Sequence, residues 1–376
     1  MRRILPAVIA AALLLTAAGV WWTHRDSSTA ARLLVGIQDD RLSSGDPNTD
    51  VDARLNMVAG LDAKLTRVDL RWDQVATRRP ANPTNPGDPA YDWHHYDAVV
   101  AAASAHHVQV EFTVWGTPTW AGDTSTPDQG MDPAGRHPTD PADAGAFAEA
   151  AAHRYAKQGV HLWEAWNEPN INRFLRPQCE RVNGTWRMAS PRLYAGILRA
   201  MYRGIKAADP GATVAGGVTS PSGLPPKAGC VKVLPKAFIR ALNAPGLRPP
   251  MDAYAHHPYP TRRPTDKNFA GAGYIDLYNL DVLTSTLDAT YLRDKPIWIS
   301  EFGVATRRVK QYPYFTDLQG QVTALDDAFR RVRANPRVTL FVWYLLQDHP
   351  DWASGLFDEQ GNPKPAAAAF QAQAGR

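Results

Sequence analysis

Past residue 30 the chain alternates short apolar runs with longer stretches whose apolar residues recur every three or four positions. The short runs are 33–38, 66–71, 108–114, 161–166, 213–218, 251–256, 296–301 and 338–344. Four to eight apolar or β-branched residues bounded by Gly, Pro, Asn or Asp are read as strands. Between them, 49–65, 142–157, 191–208, 277–291 and 318–334 carry the helical period, and 364–373 closes the chain as a last helix. A further helix lies between the pairs His94-His95 and His106-His107. Eight strand–helix units predict parallel strands, because each helix returns the chain to the start of the next strand. The expected fold is a single (β/α)8 barrel of the α/β class over residues 31–376.

The connections differ sharply in length. Helix-to-strand links are brief and use helix-stopping residues: Gln158-Gly159, Asp209-Pro210-Gly211 and Asn335-Pro336-Arg337. Strand-to-helix links are long and polar, at 73–91, 116–141, 169–190 and 218–234. A barrel that elaborates only the carboxyl ends of its strands builds a cleft there.

The first thirty residues stand apart. Arg2-Arg3 precede an apolar run over 4–22, and His24-Arg25-Asp26 return the chain to water. A basic n-region before an apolar h-region predicts export. Thr16-Ala17-Ala18 and Ser28-Thr29-Ala30 both offer small-residue cleavage sites. The run is also close to the roughly 20 residues that span a bilayer, so residues 1–30 are either a signal peptide or an N-terminal membrane anchor. In both cases the remainder is secreted or extracytoplasmic. An exported chain with two cysteines, Cys179 and Cys230, permits one disulfide.

Composition adds exclusions. The 376 residues are 44% hydrophobic and 21% charged, as in a folded globular protein. The net charge of +4 contains +2 from Arg2, Arg3 and Arg25 less Asp26, and no basic cluster with interleaved aromatics marks a nucleic-acid partner. No H-E-x-x-H or His-x-His strand end suggests a metal, and no G-x-S-x-G suggests a serine nucleophile. The chemistry therefore falls to carboxylates, with no cofactor required.

Two glutamates close apolar runs. Glu168 ends Trp163-Glu164-Ala165-Trp166-Asn167-Glu168-Pro169-Asn170, and Glu301 ends Pro296-Ile297-Trp298-Ile299-Ser300-Glu301. At strand tips in a barrel both side chains reach the rim. A retaining glycosidase needs such a pair, one to protonate the leaving oxygen and one to attack the sugar carbon, roughly 5–5.5 Å apart. Trp115, at the tip of the third strand, is a candidate platform for the apolar face of a sugar, and Trp72 and Trp120 are weaker ones. Glu111 and Glu164 lie mid-strand, and burial requires them to find partners such as Arg67 or Arg71.

The Glu-x-Trp-Asn-Glu-Pro-Asn run resembles the fourth-strand signature of the clan A glycoside hydrolases, most closely family 39 and next family 5. The resemblance implies a (β/α)8 barrel, retention of configuration and an oligo- or polysaccharide substrate. It assigns Glu168 as general acid/base, Glu301 as nucleophile and Asn167 to the hydroxyl beside the reacting carbon. Arg71, closing the second strand, matches the clan's arginine beside the nucleophile. His257 and Tyr259, in His256-His257-Pro258-Tyr259, match its His-x-Tyr element, facing the sugar and the nucleophile respectively; His256 receives no role. Trp343 resembles the eighth-strand tryptophan that floors the site. A non-catalytic carbohydrate-binding or cell-surface protein on a degenerate barrel is the alternative, and retention of both glutamates argues against it.

Overall fold

The computed structural model describes residues 33–128, 130–260, 273–309 and 314–376. The segment 1–30, with its export signal or tether at 4–22, lies outside the described residues. Among those described, no helix is long and apolar enough to cross a membrane.

Ten strands form. In chain order they are β1 (Leu34–Gln38), β2 (Leu65–Arg71), β3 (Gln109–Trp115), β4 (Leu162–Ala165), β5 (Cys179–Val182), β6 (Thr185–Met188), β7 (Thr213–Thr219), β8 (Ala253–His256), β9 (Ile297–Phe302) and β10 (Val338–Tyr344). Eight of them close into a barrel in the order β1-β10-β9-β8-β7-β4-β3-β2, and every pair is parallel. This is the (β/α)8 architecture. Each barrel strand coincides with an apolar run of the sequence to within two residues at either end.

Alternation along the strands sorts side chains into two layers. Leu65, Ala215, Ala253, Ala255, Trp298, Leu340 and Val342 fill the barrel interior. The small residues make room for the large one, since Ala255 lies directly opposite Trp298 in the ladder. Outward-facing residues such as Val68, Phe112, Ile299 and Phe341 meet the helices in a second, larger core.

Helix boundaries follow local chemistry. The first long helix spans Val51–Gly60, shorter than the periodic stretch 49–65. Asp50 caps its start by accepting from the Ala53 amide, which satisfies a donor with no partner inside the helix. Asp62, at φ 60°, then turns the chain into β2. The stretch 277–291 is likewise shorter, a 3-10 turn at Leu277–Asn279 leading into a helix over Leu280–Asp288. A helix at Pro235–Leu242 fills the 234–250 interval, where no helix was expected.

The long loop after β4 contains the antiparallel hairpin β5–β6, which the strand reading passed over. Its signal was present. Asn183 and Gly184 both take positive φ, 48° and 79°, as a two-residue hairpin turn requires.

The helices Pro141–Tyr155 and Ser190–Ala208 pack tightly enough that a Cβ on Gly204 would lie 2.2 Å from the Gly145 carbonyl oxygen. Gly204→Val should therefore force the pair apart and destabilise the fold by about 1–3 kcal/mol, the usual cost of overpacking. Urea denaturation followed by circular dichroism measures it; an unchanged midpoint would show that the helices can separate freely.

Candidate active site

The carboxyl ends of the barrel strands open into a cleft of about 910 Å³, and both Glu168 and Glu301 line it. Glu168 follows β4 at φ 32°, with Trp166 at φ 77° just before it. This backbone folds the chain sharply off the strand and turns the carboxylate toward the barrel axis. Glu301 lies inside β9 near its carboxyl end. The two residues are 8% and 9% exposed, so each has one face in the cleft and the rest in protein.

One imidazole nitrogen lies between them. His257 Nδ1 is 3.1 Å from Glu168 Oε1 and 3.5 Å from Glu301 Oε2. These two oxygens are therefore separated by no more than the two distances laid end to end. Such a bound is compatible with the roughly 5–5.5 Å between the carboxyl groups of a retaining pair. Tyr259 donates its hydroxyl to Glu301 Oε2 at 2.8 Å.

The arginine beside Glu301 is Arg67. Its Nη1 lies 2.6 Å from Glu301 Oε1 and also donates to Gln38 Oε1 at 2.5 Å. Nη2 donates to Asn167 Oδ1 at 2.8 Å, and Nε to Glu164 Oε2 at 3.0 Å. Arg71, expected in this place, sits four residues further up β2. Its guanidinium clasps Asp73 at 2.7–2.8 Å and covers the ring of Trp115 at 4.2 Å. Both arginines have inward parity, but depth separates them: Arg67 lies below the carboxylates and reaches up to them, while Arg71 is already on the rim. It still lines the cleft, as do Trp115, Asn167 and Tyr259.

The aromatic expectations divide. Trp115 is 6% exposed and donates to Asp69 Oδ2, and with Arg71 over its face it is a wall more than an open platform. Trp72 is buried core, and Trp120 packs edge-on against it. Trp343 is fully buried and does not line the cleft; it packs on Phe302 and donates to the Ser354 carbonyl. Alternation explains the correction, because Val342 points into the barrel and Trp343 therefore points out. Tyr344 and Trp352 line the cleft instead, and with Tyr259 they form a box of edge-on rings with centroids 5.2–6.1 Å apart. Sequence order pointed to Tyr344 as little as to Trp352, which arrives from the loop after β10.

Electrostatics follow from burial. Desolvation pushes the Glu301 carboxyl up from its ordinary value, against the pull of His257 and Arg67. Burial works against a charged His257, but Glu301 and Glu168 outweigh it and raise the imidazole. Of the two mid-strand carboxylates, Glu164 pairs with Arg67 and accepts from Thr113. Glu111 has neither oxygen hydrogen-bonded. Its burial, and the charge of Glu164, push it well above the ordinary carboxylate value. His256 is buried and lowered to about 3 by desolvation, with Thr219 and the Ile275 carbonyl at its two nitrogens. Among the described residues no cluster of His, Cys, Asp and Glu could hold a metal ion.

The loops behind Glu168 are stitched together. Cys179 and Cys230 form a disulfide with Cα atoms 6.0 Å apart. Asn170 accepts from the Ser220 amide and donates to the Ser220 and Val233 carbonyls.

No family model and no curated protein matches the chain. Solved structures do. A family 39 glycoside hydrolase from Bacteroides cellulosilyticus superposes with a TM-score of 0.63 at 21% identity, over 92% of this chain and 64% of its own. A monomeric beta-xylosidase from Caulobacter crescentus gives 0.61 at 19%, over 90% and 67%. A family 5 subfamily 18 protein from Streptomyces cattleya, solved with GlcNAc, gives 0.63 at 16%, over 93% and 81%. The chain thus spans just under two thirds of the first of these. At such identities the likeness is one of fold, and the fold is shared with the two families that the fourth-strand motif resembles.

Two outcomes test this arrangement. Arg67→Ala leaves Glu164 and Glu301 buried without their cation and should cost about 3–5 kcal/mol of stability. Arg71→Ala, on the half-open rim, should cost about 1 kcal/mol or less; equal losses in thermal denaturation would contradict the assignment. For His256 the folded pKa lies below the unfolded one, so stability is lost as pH falls from about 6.5 toward 3. His256→Gln should flatten that acid limb when midpoints are measured across pH.

Proposed function

We propose that the protein is a retaining glycoside hydrolase of the clan A type, cleaving an O-glycosidic bond of an oligo- or polysaccharide by double displacement. The observation that carries this reading is the convergence of Glu168 and Glu301 on one imidazole nitrogen; His257, expected to face the sugar, is itself fully buried behind the two carboxylates. In the first step Glu301 attacks the anomeric carbon while Glu168 gives its proton to the departing oxygen. In the second, Glu168 takes a proton from water, which displaces the sugar from Glu301.

The surroundings divide the labour. Glu301 accepts from Arg67 and Tyr259, two donors that favour its anion over the neutral acid. Among the described residues, Glu168 meets a single polar side chain, His257. Asn167, oriented by Arg67, can turn its amide N–H toward a sugar hydroxyl. Tyr344 and Trp352 supply apolar faces for the ring. Arg71 and Trp115 belong to the rim, and Trp343 supports the wall from behind. A disulfide in the loops fits the oxidising compartment that an N-terminal export segment or anchor would reach.

Hydrolysis of a panel of aryl glycosides, with the product anomer followed by NMR, tests the reading. The first-formed sugar should keep the substrate's configuration; inversion would exclude double displacement. Glu301→Gly should abolish turnover. Glu168→Ala should lose roughly 10²–10⁴-fold with a poor leaving group and far less with 2,4-dinitrophenolate, which needs no proton. A pure binding protein would lose nothing from either change.

The pH dependence has a sign. Glu301 must be ionised to attack, and burial raises it above 4.5. Activity should therefore fall on acidification already above that value, and Arg67→Met should move the acid limb of kcat/KM further up. A limb at or below the ordinary carboxylate value would contradict the burial argument.

A further inference from the structure

The walls of the cleft carry opposite charge. The loops after β4 and β7, residues 169–189 and 220–234, contain Arg173, Arg176, Arg181, Arg187, Lys227 and Lys232 against one acid, Glu180. Across the cleft, the loops after β1 and β10, residues 39–50 and 345–364, contain eight acids against Arg41 and Lys364. In a chain with a net charge of only +4, these two loops are a local excess of cations over acids.

Most of those cations lack a carboxylate partner, though Arg181 donates to the Gly184 carbonyl and Lys232 to Ser222, and their loops are firmly mounted. Arg176 is buried and paired with Asp128, but among the described residues none of Arg173, Arg181, Arg187, Lys227 and Lys232 forms an ion pair. All five are exposed except Lys232, which is half-buried and lines the cleft together with Arg173. The disulfide joins the two loops, as does the bridge between Ile171 and Lys232. The Asn170 hydrogen bonds add a third tie, so the wall is fixed before any ligand arrives. On the hairpin, Trp186 stands 36% exposed directly opposite Arg181. Together with Val182 and Val231 it accounts for three of the five large apolar side chains exposed among the described residues.

From this geometry we infer that the wall formed by residues 169–189 and 220–234 binds the leaving-group side of an anionic glycan, one whose sugars carry carboxylate or sulfate groups. The inference rests on the glycosidase reading for its direction. Glu168 must touch the departing oxygen, so the departing sugars lie against the loop that begins at Pro169. Exposed guanidinium and ammonium groups attract anions along that path at long range. Trp186 offers a face on which an uncharged stretch of sugar ring can stack. The acidic wall across the cleft repels the same chain and so sets its orientation.

Affinity electrophoresis of the full chain through polygalacturonate, its fully methyl-esterified form and dextran sulfate tests the proposal. The protein should be retarded by the two anionic gels and by the neutral one much less, with retardation fading between 50 mM and 500 mM salt as screening shortens. A triple variant R181A/W186A/K227A should bind the anionic gels about tenfold more weakly, since several exposed contacts of a few tenths of a kcal/mol each are lost. Hydrolysis of small aryl glycosides should be unchanged in that variant, because they do not reach the hairpin. Equal retardation by neutral and anionic gels, or no effect of the triple variant, would overturn the proposal. So would equally tight binding to duplex DNA or to vesicles of anionic lipid, which would mark an unspecific basic surface. If no aryl glycoside is cleaved while the anionic gels still retard the protein through these residues, the wall stands and the catalytic reading falls.

Discussion

Arg67 holds the candidate site together through four acceptors on three strands and their ends. It is fully buried, and its three nitrogens bond Gln38 from β1, Glu164 from β4, Asn167 beyond β4 and Glu301 from β9. A buried guanidinium must be fully paired, because an unpaired donor in the interior loses its hydration and gains nothing. Satisfying Arg67 therefore fixes the positions of strands on opposite sides of the barrel. The same bonds tie Glu301 and Asn167, both lining the cleft, to one guanidinium. Fold and chemistry share one constraint here. Glu111 nearby feels the same crowding: its burial and the charge of Glu164 outweigh the pull of Arg67 and push its carboxyl up.

Above that layer the requirements change. At Glu168 a single imidazole supplies the polar company. The sharp turn through Trp166 and Glu168 aims the side chain inward, while Tyr259, Tyr344 and Trp352 pack their rings edge-on in the lining of the cleft. Two carboxylates of one residue type thus receive different surroundings within a few ångströms, which is what acid and nucleophile roles require.

The loops carry the rest. Loops 169–189 and 220–234 gain order from the disulfide and from Asn170, whose one amide side chain serves three backbone groups. Neither loop has a hydrophobic core of its own. Cross-links replace one, and they let a basic, partly aromatic surface stand in water without collapsing onto the barrel.

Much of this was legible in the linear chain. Eight apolar runs at regular intervals dictated eight parallel strands, since period and spacing are local properties that burial on both faces imposes. The strand-end glutamates and the Asn-Glu-Pro run were equally local signals. What the sequence could not decide was depth and facing. Arg67 and Arg71 share a strand and an inward parity, and only the barrel's geometry places one beneath the carboxylates and the other on the rim. Trp343 and Tyr344 are neighbours in the chain, and one register position sends the first outward and the second into the cleft. The hairpin at Asn183-Gly184 was readable but fell inside a stretch assigned wholly to loop. Sequence alone determined which elements form, because hydrophobic periodicity acts over a few residues. Tertiary structure decided which side chains meet, because hydrogen-bond partners such as Arg67 and Glu301, separated by more than two hundred residues, are chosen by closure of the barrel.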